Sequence, residues 1–182
     1  MHIRLSALVL TLALAGCATG STGMLAADAP RALPADGPVS VSWHDPATFS
    51  EITSSGNRFV ASEGRWLQDL AEYLRTKASL QLPAGNTLAL TIVDIKRAGQ
   101  YEPWLGIERQ NVRMIRDIYP PRMTLRFREL DANGNLIAEG ERKLTDHAFL
   151  MNASPLSNSH PLRYEKRMID DWLRRDIHFA GR

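Results

Sequence analysis

Asp146-His147, with His160 further along and Asp117 upstream, is the part of the chain whose residue types suit proton transfer. An imidazole titrates near neutrality and a neighbouring carboxylate can orient it, so such a set is the raw material of acid/base hydrolysis. Spacing argues against the other common chemistries. His147 and His160 have no companion at H-x-x-x-H distance, and the chain's one cysteine is Cys17, so no metal site is expected. No serine sits in a G-x-S-x-G elbow, and no P-loop or dinucleotide glycine pattern occurs, so no cofactor is expected. Asp170 and Asp171 are adjacent, but consecutive helical residues diverge by about 100 degrees and do not easily share a substrate.

Cys17 carries a different chemistry. Met1 to Arg4 form a short positive start, Leu5 to Leu14 an apolar run, and Ala15 and Gly16 supply small residues before the thiol. This is the pattern of an export signal, and the run is far shorter than the roughly 20 apolar residues of a membrane-spanning helix. Leu14-Ala15-Gly16-Cys17 resembles the bacterial lipobox over all four positions, in which the sulfur takes a diacylglyceryl group and becomes the first mature residue. Several acyl chains, at about 0.8 kcal/mol per buried CH2, give stable attachment to a membrane. Ala18 rather than Asp follows, which by the same resemblance implies the periplasmic face of the outer membrane of a two-membrane bacterium.

Composition bounds the rest. At 182 residues the chain suits one domain, and 22 Lys plus Arg against 20 Asp plus Glu give no broad attraction towards nucleic acid. The expected organisation is a signal peptide at 1–16, a lipidated cysteine and flexible tether at 17–38, a single domain at 39–178 and a short tail at 179–182. Val39, Val41 and Trp43 alternate with serines, as in a half-buried strand, and Asp45-Pro46 reads as an N-cap followed by proline in the first turn. Apolar residues from Phe59 to Ala78 fall on one stripe of a helix spanning 58–78, and Thr87 to Ile95 reads as a central strand.

Arg122 to Leu144 is a hairpin with Asn133-Gly134 at its turn. The register that sets Arg128 opposite Glu139, Arg126 opposite Glu141 and Phe127 over Gly140 satisfies both charge and packing. A short strand is expected within 111–118. The last helix, 162–177, has Ser159 as its N-cap and surface pairs Lys166–Asp170 and Arg167–Asp171. The whole is an α+β fold: a mainly antiparallel sheet of about four strands with two principal helices packed against it. The segments before and after the hairpin then emerge at one end of the sheet. That end gathers the candidate binding residues Tyr101, Trp104, Arg116, Asp117, Tyr119, Arg122, His147 and His160 on long irregular connections.

Three stretches, Val39 to Ile52 (VSVSWHDPATFSEI), Ile115 to Arg122 (IRDIYPPR) and Leu162 to Trp172 (LRYEKRMIDDW), together resemble the bacterial exported family called domain of unknown function 3016. The likeness covers nearly all of residues 39–177. It implies a secreted or lipid-anchored single domain and brings no catalytic residue, substrate or partner. The leading expectation is a noncatalytic module, anchored to the membrane through Cys17, that contacts an envelope protein or a cell-wall component. The alternative is a periplasmic hydrolase using Asp117 or Asp146 with His147 or His160.

Overall fold

The computed structural model describes residues 24–26, 28–151 and 159–175. Strand β1 (Val39–Trp43) buries Val39, Val41 and Trp43 on one face, as its alternation requires. Asp45 then opens a 3-10 turn, Pro46–Thr48, its carboxylate accepting the N–H of Ala47 at 3.0 Å. Helix α1 (Ser50–Thr53) follows, tied to the sheet because Ser50 donates both its N–H and its hydroxyl to Asp94 at 2.6 Å.

The stripe expected as one helix is two, α2 (Arg58–Ser62) and α3 (Trp66–Ser79). Gly64 separates them with φ of +82°, a conformation that helical residues do not adopt. Phe59 is thereby swung out of the stripe into solvent, while Trp66, Leu67, Leu70, Leu74 and Ala78 form the buried face of α3. Tyr73 sits at its margin and donates its hydroxyl to Asp170 at 2.8 Å.

The remaining elements are β2 (Thr87–Lys96), β3 (Gln100–Tyr101), β4 (Arg113–Met114), β5 (Arg122–Leu130), β6 (Leu136–Thr145) and α4 (Arg163–Arg175). The main sheet runs β1-β2-β5-β6, and β3 and β4 pair separately. β2 is central, as its apolar run predicts. β1 and β2 are parallel, and α1 to α3 make the crossover that parallel neighbours need. The other main-sheet pairs are antiparallel, so the fold is α+β with α3 and α4 as its principal helices. The strand expected within 111–118 is present but only two residues long.

The hairpin adopts the register that charge and packing select: Arg128 faces Glu139, Arg126 faces Glu141 and Phe127 faces Gly140. Arg126 Nε donates to Glu141 at 3.0 Å, and Arg128 lies 3.8 Å from Glu139. Leu88, Leu90, Ile92, Met123 and Leu125 give the sheet a dry face against the helices. β6, the outer strand, buries only Leu144.

Two expectations change at the ends. Arg31 to Leu33, read as tether, lies antiparallel to β1, with Leu33 N–H on Val41 O (2.9 Å) and Trp43 N–H on Arg31 O (2.8 Å). Met24 and Leu33 also pack on the core, so the domain takes hold of the chain well before Val39. On α4 the expected pairs give way to other partners, on neighbouring elements for Asp170 and Arg167 and further along the helix for Asp171. Asp170 accepts from Tyr73, Arg167 reaches Asp146 at 2.5 Å, and Asp171 pairs with Arg174 and Arg175. The turn before α4 is closed by His160, whose Nδ1 accepts the Leu162 N–H at 3.0 Å, in the place expected for Ser159. Ile177 lies outside the described residues.

Gly64→Ala would force a β-carbon into the left-handed region, although nothing stands within 4 Å of it. The substitution is expected to lower stability by about 1–2 kcal/mol, read as a lower urea midpoint at unchanged slope.

Candidate contact site at the loop end of the sheet

The chain leaves β2 through Lys96 and Arg97, whose side chains turn inward onto Glu51 of α1. Glu51 is fully buried and holds three cations: Arg97 Nη2 at 2.9 Å, Lys96 Nζ at 3.6 Å, and Arg113 from β4. It also accepts the Arg97 backbone N–H at 2.9 Å. Burial on its own would raise the Glu51 pKa, but Arg113, Arg97 and Lys96 outweigh it and hold the carboxyl below its ordinary value. Both guanidinium groups stack on buried rings, Arg97 over Trp66 and Arg113 over Tyr101, each 4.6 Å from the ring centroid.

Two more buried acids extend this frame. Glu165 of α4 accepts the Ala98 N–H at 2.6 Å, while its Oε2 has no hydrogen-bond partner. Its pKa is pushed up by burial, against the pull of the Ala98 N–H and of Arg97 and Arg113. Glu102 accepts from Arg116 at 2.6 Å and from the Tyr119 hydroxyl at 2.8 Å, and that bond raises the tyrosine's pKa. Gly99 has φ of +82° and lies so close to β4 that a β-carbon would meet Ile115 at 2.6 Å. Residues 97–121 are therefore fixed from α1, α4 and within.

The residues singled out by the sequence divide into several roles. Tyr101 is buried beneath Arg113, and Arg116 and Tyr119 serve Glu102. Asp117 is exposed and accepts the N–H of Ile118 at 2.9 Å. Asp146 accepts the Ala148 N–H at 3.1 Å and an Arg167 N–H at 2.5 Å. His160 Nε2 lies 3.0 Å from Lys166 Nζ. His147 is exposed beside a groove of about 570 Å3 between β6 and α4, lined by Lys143, Asp171, Trp172 and Arg175. Arg122 is exposed at the start of β5, opposite Lys96 and Thr145. Cys17 lies outside the described residues.

The segments flanking the hairpin do meet at one end, where Asp146 N–H bonds Pro121 O at 3.3 Å. Among charged neighbours such as Arg109 and Asp117, this end presents three large apolar side chains to water: Trp104 is 68% exposed, Ile107 81% and Ile118 67%. Asn57 braces the same loop from α2's N-terminus, its Nδ2 donating to Gln110 O at 3.2 Å and to Asn111 Oδ1 at 2.8 Å. Among the described residues, no three His, Cys, Asp or Glu side chains gather to hold a metal ion.

The family described as Protein of unknown function (DUF3016) matches residues 37–175, and the chain belongs to it. No curated protein and no solved structure matches the chain.

Glu51→Gln is expected to cost about 3–5 kcal/mol at neutral pH, because it strands three buried cations. Since the folded carboxyl titrates below its unfolded value near 4.5, that difference is complete above pH 4.5 and shrinks as pH falls through the folded pKa. Glu165→Gln should behave oppositely. A raised pKa means stability present below the unfolded value and lost as pH rises through the folded one, so this variant gains on the wild type as pH climbs. Thermal melts across pH check both signs.

Proposed function

We propose that this family member is a lipid-anchored cell-envelope protein, held by Cys17 at the periplasmic face of the outer membrane, that acts by contact and not by catalysis. The anchor is supported by the four-position lipobox behind an export-type leader. The contact role rests on one observation above all: Trp104, Ile107 and Ile118 stand in water on a loop whose base is locked by buried ion pairs. Holding three large apolar groups in solvent on a rigid base is unfavourable in the isolated domain and favourable only with something to cover them. Asp117 and Asp146, the acids of the hydrolytic alternative, bond backbone N–H groups, and Asp146 also bonds Arg167. Among the described residues no helix is long and apolar enough to cross a membrane.

Feeding cells a labelled fatty acid should mark the wild-type chain and leave Cys17→Ser unmarked, with the variant recovered in the soluble periplasmic fraction. Label that persists in the variant, or none in the wild type, overturns the anchor. The contact role is checked by Trp104→Ser, expected to lower in-cell crosslinking from the loop several-fold while leaving the melting temperature within about 2 °C, since exposed substitutions fall within roughly ±0.5 kcal/mol.

A further inference from the structure

The N-terminal segment and the exposed apolar loop leave the domain at the same end. β1 and β2 are parallel and both finish there. Arg31 to Leu33 runs antiparallel to β1, so the chain arrives at Arg31 from the side on which Trp43 ends that strand. Further back, Met24 and Pro30 line a groove of about 490 Å3 with Trp43 and Phe59. Phe59 lies in α2, whose N-cap Asn57 holds Gln110 and Asn111 of the loop. Met24 and Phe59 thus line one groove, and the helix that carries Phe59 is tied at its N-cap to the loop that carries Trp104 and Ile107.

Seven peptide units separate Cys17 from Met24, a reach of at most about 25 Å however the chain runs. The turn between β5 and β6 lies a full strand away, about 30 Å from the loop end at roughly 3.3 Å per residue. An acyl chain on Cys17 therefore cannot bring the hairpin turn to a membrane with Met24 behind it. The orientations left open keep the loop end nearer the lipid than the hairpin turn.

We propose that the loop end docks on the bilayer surface itself, with Trp104, Ile107 and Ile118 entering the boundary between headgroups and acyl chains. This deepens the anchored-module reading and takes its orientation from the Cys17 lipid. Tryptophan and isoleucine beside exposed arginine, here Arg109, suit that boundary. With 22 basic against 20 acidic residues the chain has no broad field to draw it to lipid, so apolar insertion and the leash carry the contact.

Trp104 is also its own reporter, since Trp43, Trp66 and Trp172 are 6%, 4% and 2% exposed. The chain isolated from membranes would be reconstituted into phosphatidylethanolamine–phosphatidylglycerol vesicles brominated at shallow or deep acyl positions. Shallow bromine should quench tryptophan emission several-fold more than deep bromine. That quenching should vanish in Trp104→Phe and fall several-fold in the double variant Ile107→Ser with Ile118→Ser, at unchanged circular dichroism. The mass of the N-terminal peptide reports acylation on the same sample. An acylated chain without quenching, equal quenching in the double variant, or a photocrosslinker at position 107 that captures only protein overturns the docking. Quenching on a chain without acyl mass upholds the docking and overturns the anchor.

Discussion

One carboxylate with no access to water sets the shape of the functional end of this fold. Glu51 draws Lys96 and Arg97 inward as the chain leaves β2 and takes Arg113 from the far side of the loop. Fixing each residue of an irregular connection costs about 1–2 kcal/mol of conformational entropy. Residues 97–121 contribute few core side chains to offset it, so the burden falls on directional contacts. A buried ion cluster gives little net stability over a well-packed apolar one, but it dictates geometry, because any arrangement that leaves one member unpaired is heavily penalised. Glu102 repeats the device closer to the tip with Arg116 and Tyr119.

That locked base accounts for the division of labour among neighbouring aromatics. Tyr101 faces inward and closes the cluster beneath Arg113, whereas Trp104, just beyond Pro103, is turned out. The same short stretch therefore supplies both a wall and a probe. A flexible loop could fold its apolar groups back on the body, and this one is prevented from doing so by its own supports. The early capture of the chain by β1 adds a second constraint, since Arg31 to Leu33 are bound to the domain although the small, proline-bearing composition of residues 18–38 suggests a tether throughout.

The hairpin was readable to the residue because a period of two, a turn dipeptide and complementary charges all select one register. β1 was readable as a strand but not as the parallel neighbour of β2, since an alternating pattern names a face and not a partner. The helix over 58–78 was overextended because apolar spacing continues through Gly64, and only the backbone angle there reveals the break. The frame beneath the candidate residues is not legible as a motif, because Glu51, Lys96, Arg97, Arg113 and Glu165 are scattered along the chain. The signal available is Lys96-Arg97 closing a central strand with a buried face, where inward-turned cations must find acids. Ion pairs along α4 misled for a related reason, as docking brings Tyr73 and Asp146 nearer than the next helical turn.

The outer strand β6 has a consequence for how copies of the chain meet. A ten-residue strand at the edge of a sheet is a template for edge-to-edge aggregation. Glu139, Glu141, Arg142 and Lys143 crowd charge onto that strand, so a second copy pairing parallel and in register would set like charges together. The alternation that pairs β6 with β5 thus also keeps crowded neighbours from zipping into a continuous sheet.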